Sequence, residues 1–158
     1  MRPDDATRFE AGSREGVLLR ERAAAAMAHA YAPYSGFRVG AALLGTDGSV
    51  AEGCNVENAA YPAGLCAERA AVSAAVARGV RDFAAIVIFT EAESPTPPCG
   101  ICRQVLMEFA PHLAVVSVTR NGAEAQWSMS DLLPKAFTPT SLGRTGAAGV
   151  DGRSVRSV

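Results

Sequence analysis

Two short cysteine motifs, far apart in the chain, constrain its fold more than any other feature. Cys66-Ala67-Glu68 stands at the start of one predicted helix, and Pro98-Cys99-Gly100-Ile101-Cys102 at the start of another. Cys99 and Cys102 are three apart on a helix and so share a face. A fold that joins the three thiols must bring two helix N-termini to one point. Three thiolates are one ligand short of a closed tetrahedral zinc site. The open fourth position can hold a water, which zinc can ionise near neutral pH. Glu68, two residues from a ligand, is placed to move that water's proton.

The remaining bulk properties mostly exclude. At 158 residues, 49% of them hydrophobic, the chain is long enough for one domain with a good core. Its formal net charge of -1 gives no support for a nucleic-acid or anionic-membrane partner. The N-terminal stretch 1–16 has no apolar segment of signal-peptide type, and no apolar run has bilayer length. The expected setting is cytoplasmic, where four cysteines point to metal binding or catalysis rather than disulfides.

Periodicity predicts a helix over Gly12–Tyr31, with Val17, Leu18, Ala24, Ala25 and Ala28 recurring at helical spacing and Pro33 closing it. Strands follow at Phe37–Leu44 and Val50–Asn55, joined by Thr46-Asp47-Gly48. A loop over Asn55–Leu65 leads into a helix over Cys66–Arg78, closed by Gly79. Phe83–Thr90 reads as a strand buried on both faces, Gly100–Phe109 as a helix stopped by Pro111, and Leu113–Thr119 as another buried strand. Asn121-Gly122 turns the chain into a last strand, Ala125–Ser128, before one helical turn at Ser130–Leu133. This order predicts an α/β domain of three layers, α/β/α. Its five-stranded mixed sheet has a parallel crossover from Phe83 to Thr119 and an antiparallel last strand. The domain should occupy 13–140, with a flexible N-terminus at 1–12 and a mobile tail at 141–158.

At the helix starts, the positive dipole ends would offset a site that is net negative before hydroxide binds. They would also lower thiol pKa values. Arg69 and Arg103 are near enough in sequence to donate to the sulfurs. A closed structural site would need Cys54 as the fourth ligand. Structural sites usually come as two close cysteine pairs, and Cys54 is far from Cys66, so packing is the better reading of Cys54. Glu68 alone could be a helix-dipole acid; beside three thiolates it reads as a proton carrier.

A Cys, a nearby Glu and a later Pro-Cys-x-x-Cys form the signature of zinc nucleobase deaminases. Over Ala24–Phe137 the chain resembles the homotetrameric cytidine deaminases. The matching stretches are Tyr31–Ala42, Gly53–Tyr61, Cys66–Arg69, Pro98–Gln104 and Leu132–Phe137. Ile101 stands where Ala is frequent in that family and Lys135 where the residue varies, and neither position carries chemistry. The resemblance implies one zinc per subunit on Cys66, Cys99 and Cys102. It implies attack of zinc hydroxide on cytosine C4, with Glu68 shuttling the proton to N3 and then to the departing ammonia. It also implies that Asn55 and Glu57 hold the sugar 3'-hydroxyl, that Phe37 packs on the pyrimidine and that the Ala67 N–H reaches the base O2. Arg69 and Gln104 would support the ligands from behind. Tyr61 and Phe137 would line a neighbour's site in a homotetramer.

The function so implied is deamination of cytidine and 2'-deoxycytidine in pyrimidine salvage. A deaminase of another cytosine nucleoside, of the blasticidin-S type, shares the cysteine motifs but differs in the sugar-binding segment, where the run Asn55–Asn58 matches the nucleoside enzymes. A polynucleotide deaminase would need a basic groove and stacking aromatics, and the charge and the few aromatics speak against it. A zinc-stabilised interaction module would not need Glu68.

Overall fold

The structure, a computed structural model, describes residues 9, 10 and 12–144. Most of the expected flexible stretches, 1–12 and 141–158, therefore lies outside the described residues, although a 3-10 turn at Pro139–Leu142 crosses the expected start of the tail. The elements run α1 (Arg14–Met27), β1 (Val39–Gly45), β2 (Val50–Cys54), α2 (Ala67–Ala77), β3 (Phe83–Thr90), α3 (Gly100–Phe109), β4 (Ala114–Thr119), β5 (Glu124–Ser128) and α4 (Met129–Leu132).

The five strands form one sheet in the order β2-β1-β3-β4-β5. Only β3 and β4 pair in parallel; β1 runs antiparallel to β2 and β3, and β5 antiparallel to β4. Alternation along the strands sends side chains to two separate cores. Ala41, Leu43, Ile86, Ile88 and Val115 pack with α2 and α3. Ala42, Val87, Val116 and Val118 pack with Leu19 and Ala23 of α1. The predicted three-layer arrangement and the antiparallel last strand are both present.

α1 departs from the sequence expectation in length and in face. It stops at Met27 because Tyr31 is drawn into pairing with the 55–57 segment: its N–H donates to Asn55 O at 3.0 Å, and its carbonyl accepts from Glu57 N at 2.8 Å. That tertiary pairing outweighs the helix propensity of Ala28 and Ala30. Its buried face is Gly16, Leu19, Ala23 and Met27, whereas Val17 and Leu18 are exposed. Gly40 explains the choice. A Cβ there would lie 1.9 Å from Ala23 O and 2.5 Å from Met27 N, so the α1 backbone rests directly on β1. β1 also starts two residues later than expected, at Val39, since the Phe37 carbonyl accepts from the Asn55 side chain rather than from a neighbouring strand.

Gly53 plays the same part for α2. A Cβ there would stand 2.4 Å from both Ala67 O and Ala71 N. The first turn of α2, which carries Glu68, is therefore seated against the β2 backbone. Gly53→Ala must push that turn away. Overpacking costs about 1–3 kcal/mol, so we expect a drop in Tm of roughly 2–12 °C. Zinc affinity should fall with it, because Cys66 is the residue that leads into α2. Thermal unfolding and zinc titration read both, and an unchanged variant on both counts would show that the contact is dispensable.

Candidate active site

Two helix starts meet on the α2/α3 side of the sheet. Cys66 is the N-cap of α2 and Cys99 the N-cap of α3, each extended, and neither side chain caps its helix. Cys102 lies in the first turn of α3. The three Sγ atoms lie within 4.8 Å of one another, with Cys66 and Cys99 at 3.8 Å. A regular tetrahedral zinc with Zn–S near 2.3 Å spaces its sulfurs by about 3.8 Å, so the donor set fits zinc in type and in spacing. Cys54 is outside this group, and it is half-buried rather than fully packed.

The surrounding charges suit thiolates. Arg69 Nη2 donates to Cys66 Sγ at 3.6 Å and to Gly64 O at 3.1 Å. The Cys66 thiol is lowered to about 5, first by the Cys102 thiol donating to it and also by Arg69. Cys102, in donating that bond from a buried position, is pushed up. Without metal the cluster therefore keeps a proton, and metal binding must release it. Arg103 does not reach the sulfurs: it donates to Pro98 O at 2.7 Å and Leu132 O at 2.9 Å, tying the start of α3 to the end of α4. Gln104 likewise turns away from the ligands and donates to Phe137 O at 2.7 Å.

Glu68 is the buried acid of the site, only 5% exposed. Burial lifts its pKa first, and the neighbouring Cys66 thiolate adds to the rise. A cation beside it would favour the ionised form. Ala67, at the first position of α2, has an N–H that no intrahelical carbonyl can accept and that the Cys66 side chain does not cap.

The 55–57 segment works differently from its sequence reading. The Asn55 side chain accepts from Val39 N and donates to Phe37 O, both at 2.8 Å. Glu57 accepts from Tyr34 N at 2.8 Å, from Ser35 N at 3.2 Å and from the Ser35 hydroxyl. The hydroxyl bond, ahead of the two backbone bonds, holds the Glu57 pKa below its usual value. Both side chains thus brace the loop that carries Phe37, leaving their remaining lone pairs and N–H for a ligand. A cavity of about 360 Å3 opens beside Glu57, lined by Tyr34, Ser35, Glu57, Asn58, Tyr61 and Gly64. Tyr34 and Tyr61 meet edge to face across it at 5.8 Å. Phe37 is half-exposed, and Tyr61 at 75%, Ile101 at 64% and Phe137 at 60% are strongly exposed. Sequence reasoning missed Ser35, whose one visible signal was a polar residue just before Gly36.

Comparison with known proteins agrees with this geometry. Residues 16–118 match the family model described as the cytidine and deoxycytidylate deaminase zinc-binding region. A cytidine deaminase of Sporosarcina psychrophila is 46% identical over 114 residues, 72% of this chain and 84% of that protein. One from Halalkalibacterium halodurans is 46% identical over 126 residues, 79% and 96% of the two chains. The crystal structure of cytidine deaminase from Burkholderia pseudomallei superposes with a TM-score of 0.74 at 51% identity, covering 77% of this chain and 98% of that one.

Proposed function

The chain belongs to the cytidine and deoxycytidylate deaminase family and is a zinc-dependent cytidine deaminase; on that premise we propose that it hydrolyses cytidine and 2'-deoxycytidine to uridine and 2'-deoxyuridine, releasing ammonia, in cytoplasmic pyrimidine salvage. The observation that carries the reading is the three-sulfur cluster at two helix starts with the buried Glu68 carboxyl two residues beyond Cys66. Bound there, zinc supplies a Lewis acid that makes water a nucleophile at neutral pH.

The protein's own groups do the rest. Glu68 takes a proton from the attacking water and passes it to ring N3. It then helps protonate the amine as the C4–N4 bond breaks. The Ala67 N–H donates to the base O2, and Phe37 packs on the pyrimidine face. Asn55 and Glu57 use their free hydrogen-bonding capacity on the sugar 3'-hydroxyl. Arg69 offsets the thiolate charge, while Gln104 fixes the backbone beside Phe137. Tyr61 and Phe137, both strongly exposed, complete the sites of neighbouring subunits in a homotetramer. Among the described residues no helix is long and apolar enough to cross a membrane.

Ammonia release from purified protein, measured across cytidine, 2'-deoxycytidine, cytosine, deoxycytidylate and blasticidin S, tests the substrate class. Turnover should be confined to the two nucleosides. Silence with both would overturn the reading, and preference for blasticidin S would move it to that branch of the fold.

A further inference from the structure

The loop that carries Phe37 is held from both sides by residues 55–57. Gly36, at φ +66, makes the reversal that returns the chain toward β1. Phe37 then has both of its backbone groups taken by side chains. Its carbonyl accepts from Asn55 Nδ2 at 2.8 Å, and its N–H donates to Ser35 Oγ at 3.0 Å. Ser35 Oγ in turn donates its own proton to Glu57 Oε1. A hydroxyl that donates to a carboxylate becomes a better acceptor, so the two bonds strengthen one another. The resulting chain runs from the Glu57 carboxylate through one hydroxyl to the backbone of Phe37.

Resting on the nucleoside reading above, in which Glu57 meets the sugar and Phe37 the base, we propose that Ser35 is a positioning residue. Its hydroxyl relays the Glu57 carboxylate to the Phe37 N–H and so fixes where the aromatic ring meets the pyrimidine. Although Ser35 lines the cavity beside Glu57, its hydroxyl is already engaged with Glu57 and the Phe37 N–H, so it acts through Phe37. The two halves of the nucleoside are therefore read by one connected unit rather than by two independent contacts.

Substrate choice and a double-mutant cycle separate this relay from its rivals. Ser35→Ala should raise KM for cytidine about tenfold or more, the effect of a lost hydrogen bond to a charged group, with kcat nearly unchanged. Ser35→Thr, which keeps the hydroxyl, should restore most of the loss. The same rise should appear with 2',3'-dideoxycytidine, which lacks the 3'-hydroxyl. In a Phe37→Ala background, Ser35→Ala should add less than twofold. A full tenfold increment on top of Phe37→Ala would overturn the relay, since the effect would not pass through the ring. So would a rise that vanishes with the dideoxy substrate, or a Ser35→Thr variant as impaired as Ser35→Ala. If Phe37→Ala by itself leaves KM for cytidine unchanged, the base-site reading fails and takes the relay with it.

Discussion

Glu68→Gln should give a folded, zinc-loaded protein whose turnover of cytidine is lower by roughly 10^2–10^4-fold or more, the usual range for a lost general acid–base. Gln has nearly the same shape as Glu, so the 5%-exposed position can accept it without a cavity. Burial disfavours the charged carboxylate, so a neutral amide there removes a desolvation cost and should not lower Tm. The amide can donate and accept hydrogen bonds, but it cannot take a proton from water and release it to N3 in the same cycle. The loss converts to about 3–5 kcal/mol of transition-state stabilisation. Steady-state kcat, with zinc content and Tm on the same sample, checks each part. Wild-type turnover in this variant would refute the proton-carrier role. Loss of zinc along with turnover would show that Glu68 serves the metal site instead.

The legible part of the fold is the part where local sequence and tertiary context agree. Phe83–Thr90 and Gly100–Phe109 fall where the sequence places them, because an apolar run buried on both faces and a proline-bounded helix leave little choice. α1 lies within the expected helix, but its end and its buried face differ for the opposite reason. Its second half carries the run Ala23–Ala26, which offers every face the same hydrophobicity. Gly40, in another element, decides which face is buried by letting Ala23 and Met27 come close. Nothing within the helix encodes that contact. The pairing of Tyr31 with residues 55–57, which ends the helix early, is long-range in the same way.

The cysteines of the site were legible because metal geometry acts across sequence distance: three thiols at two helix starts have few arrangements in which all are used. By themselves Asn55 and Glu57 read only as polar groups in a loop, and a sugar-binding role comes only with the family resemblance. Their grip on the Phe37 loop depends on which backbone groups of residues 34–39 come to face them, and no spacing rule reports that. Arg103 shows the converse. Sequence proximity to Cys102 suggested a sulfur contact, yet the carbonyls of Pro98 and Leu132 claim the guanidinium once α4 folds beside α3.

Cys102→Ala should abolish activity through the metal, and Cys54→Ala should leave both metal and activity intact. Cys102 is fully buried in the first turn of α3 and belongs to the sulfur group, whereas Cys54 does not. Structural zinc sites with four ligands bind with about 10–16 kcal/mol, which divides to roughly 3–4 kcal/mol per ligand. Removing one thiolate should therefore weaken zinc about 10^2–10^3-fold. The two remaining sulfurs, of Cys66 and Cys99, would leave two coordination positions to solvent. The resulting cluster also loses the hydrogen bond that most strongly lowers the Cys66 pKa, so Cys66 itself becomes harder to deprotonate. Zinc stoichiometry after dialysis and competition with a chromogenic chelator measure the loss directly, apart from any assay of turnover. A Cys102→Ala protein that keeps one tight zinc would remove Cys102 from the ligand set. A Cys54→Ala protein that loses it would restore Cys54 as the fourth ligand and leave no position for water.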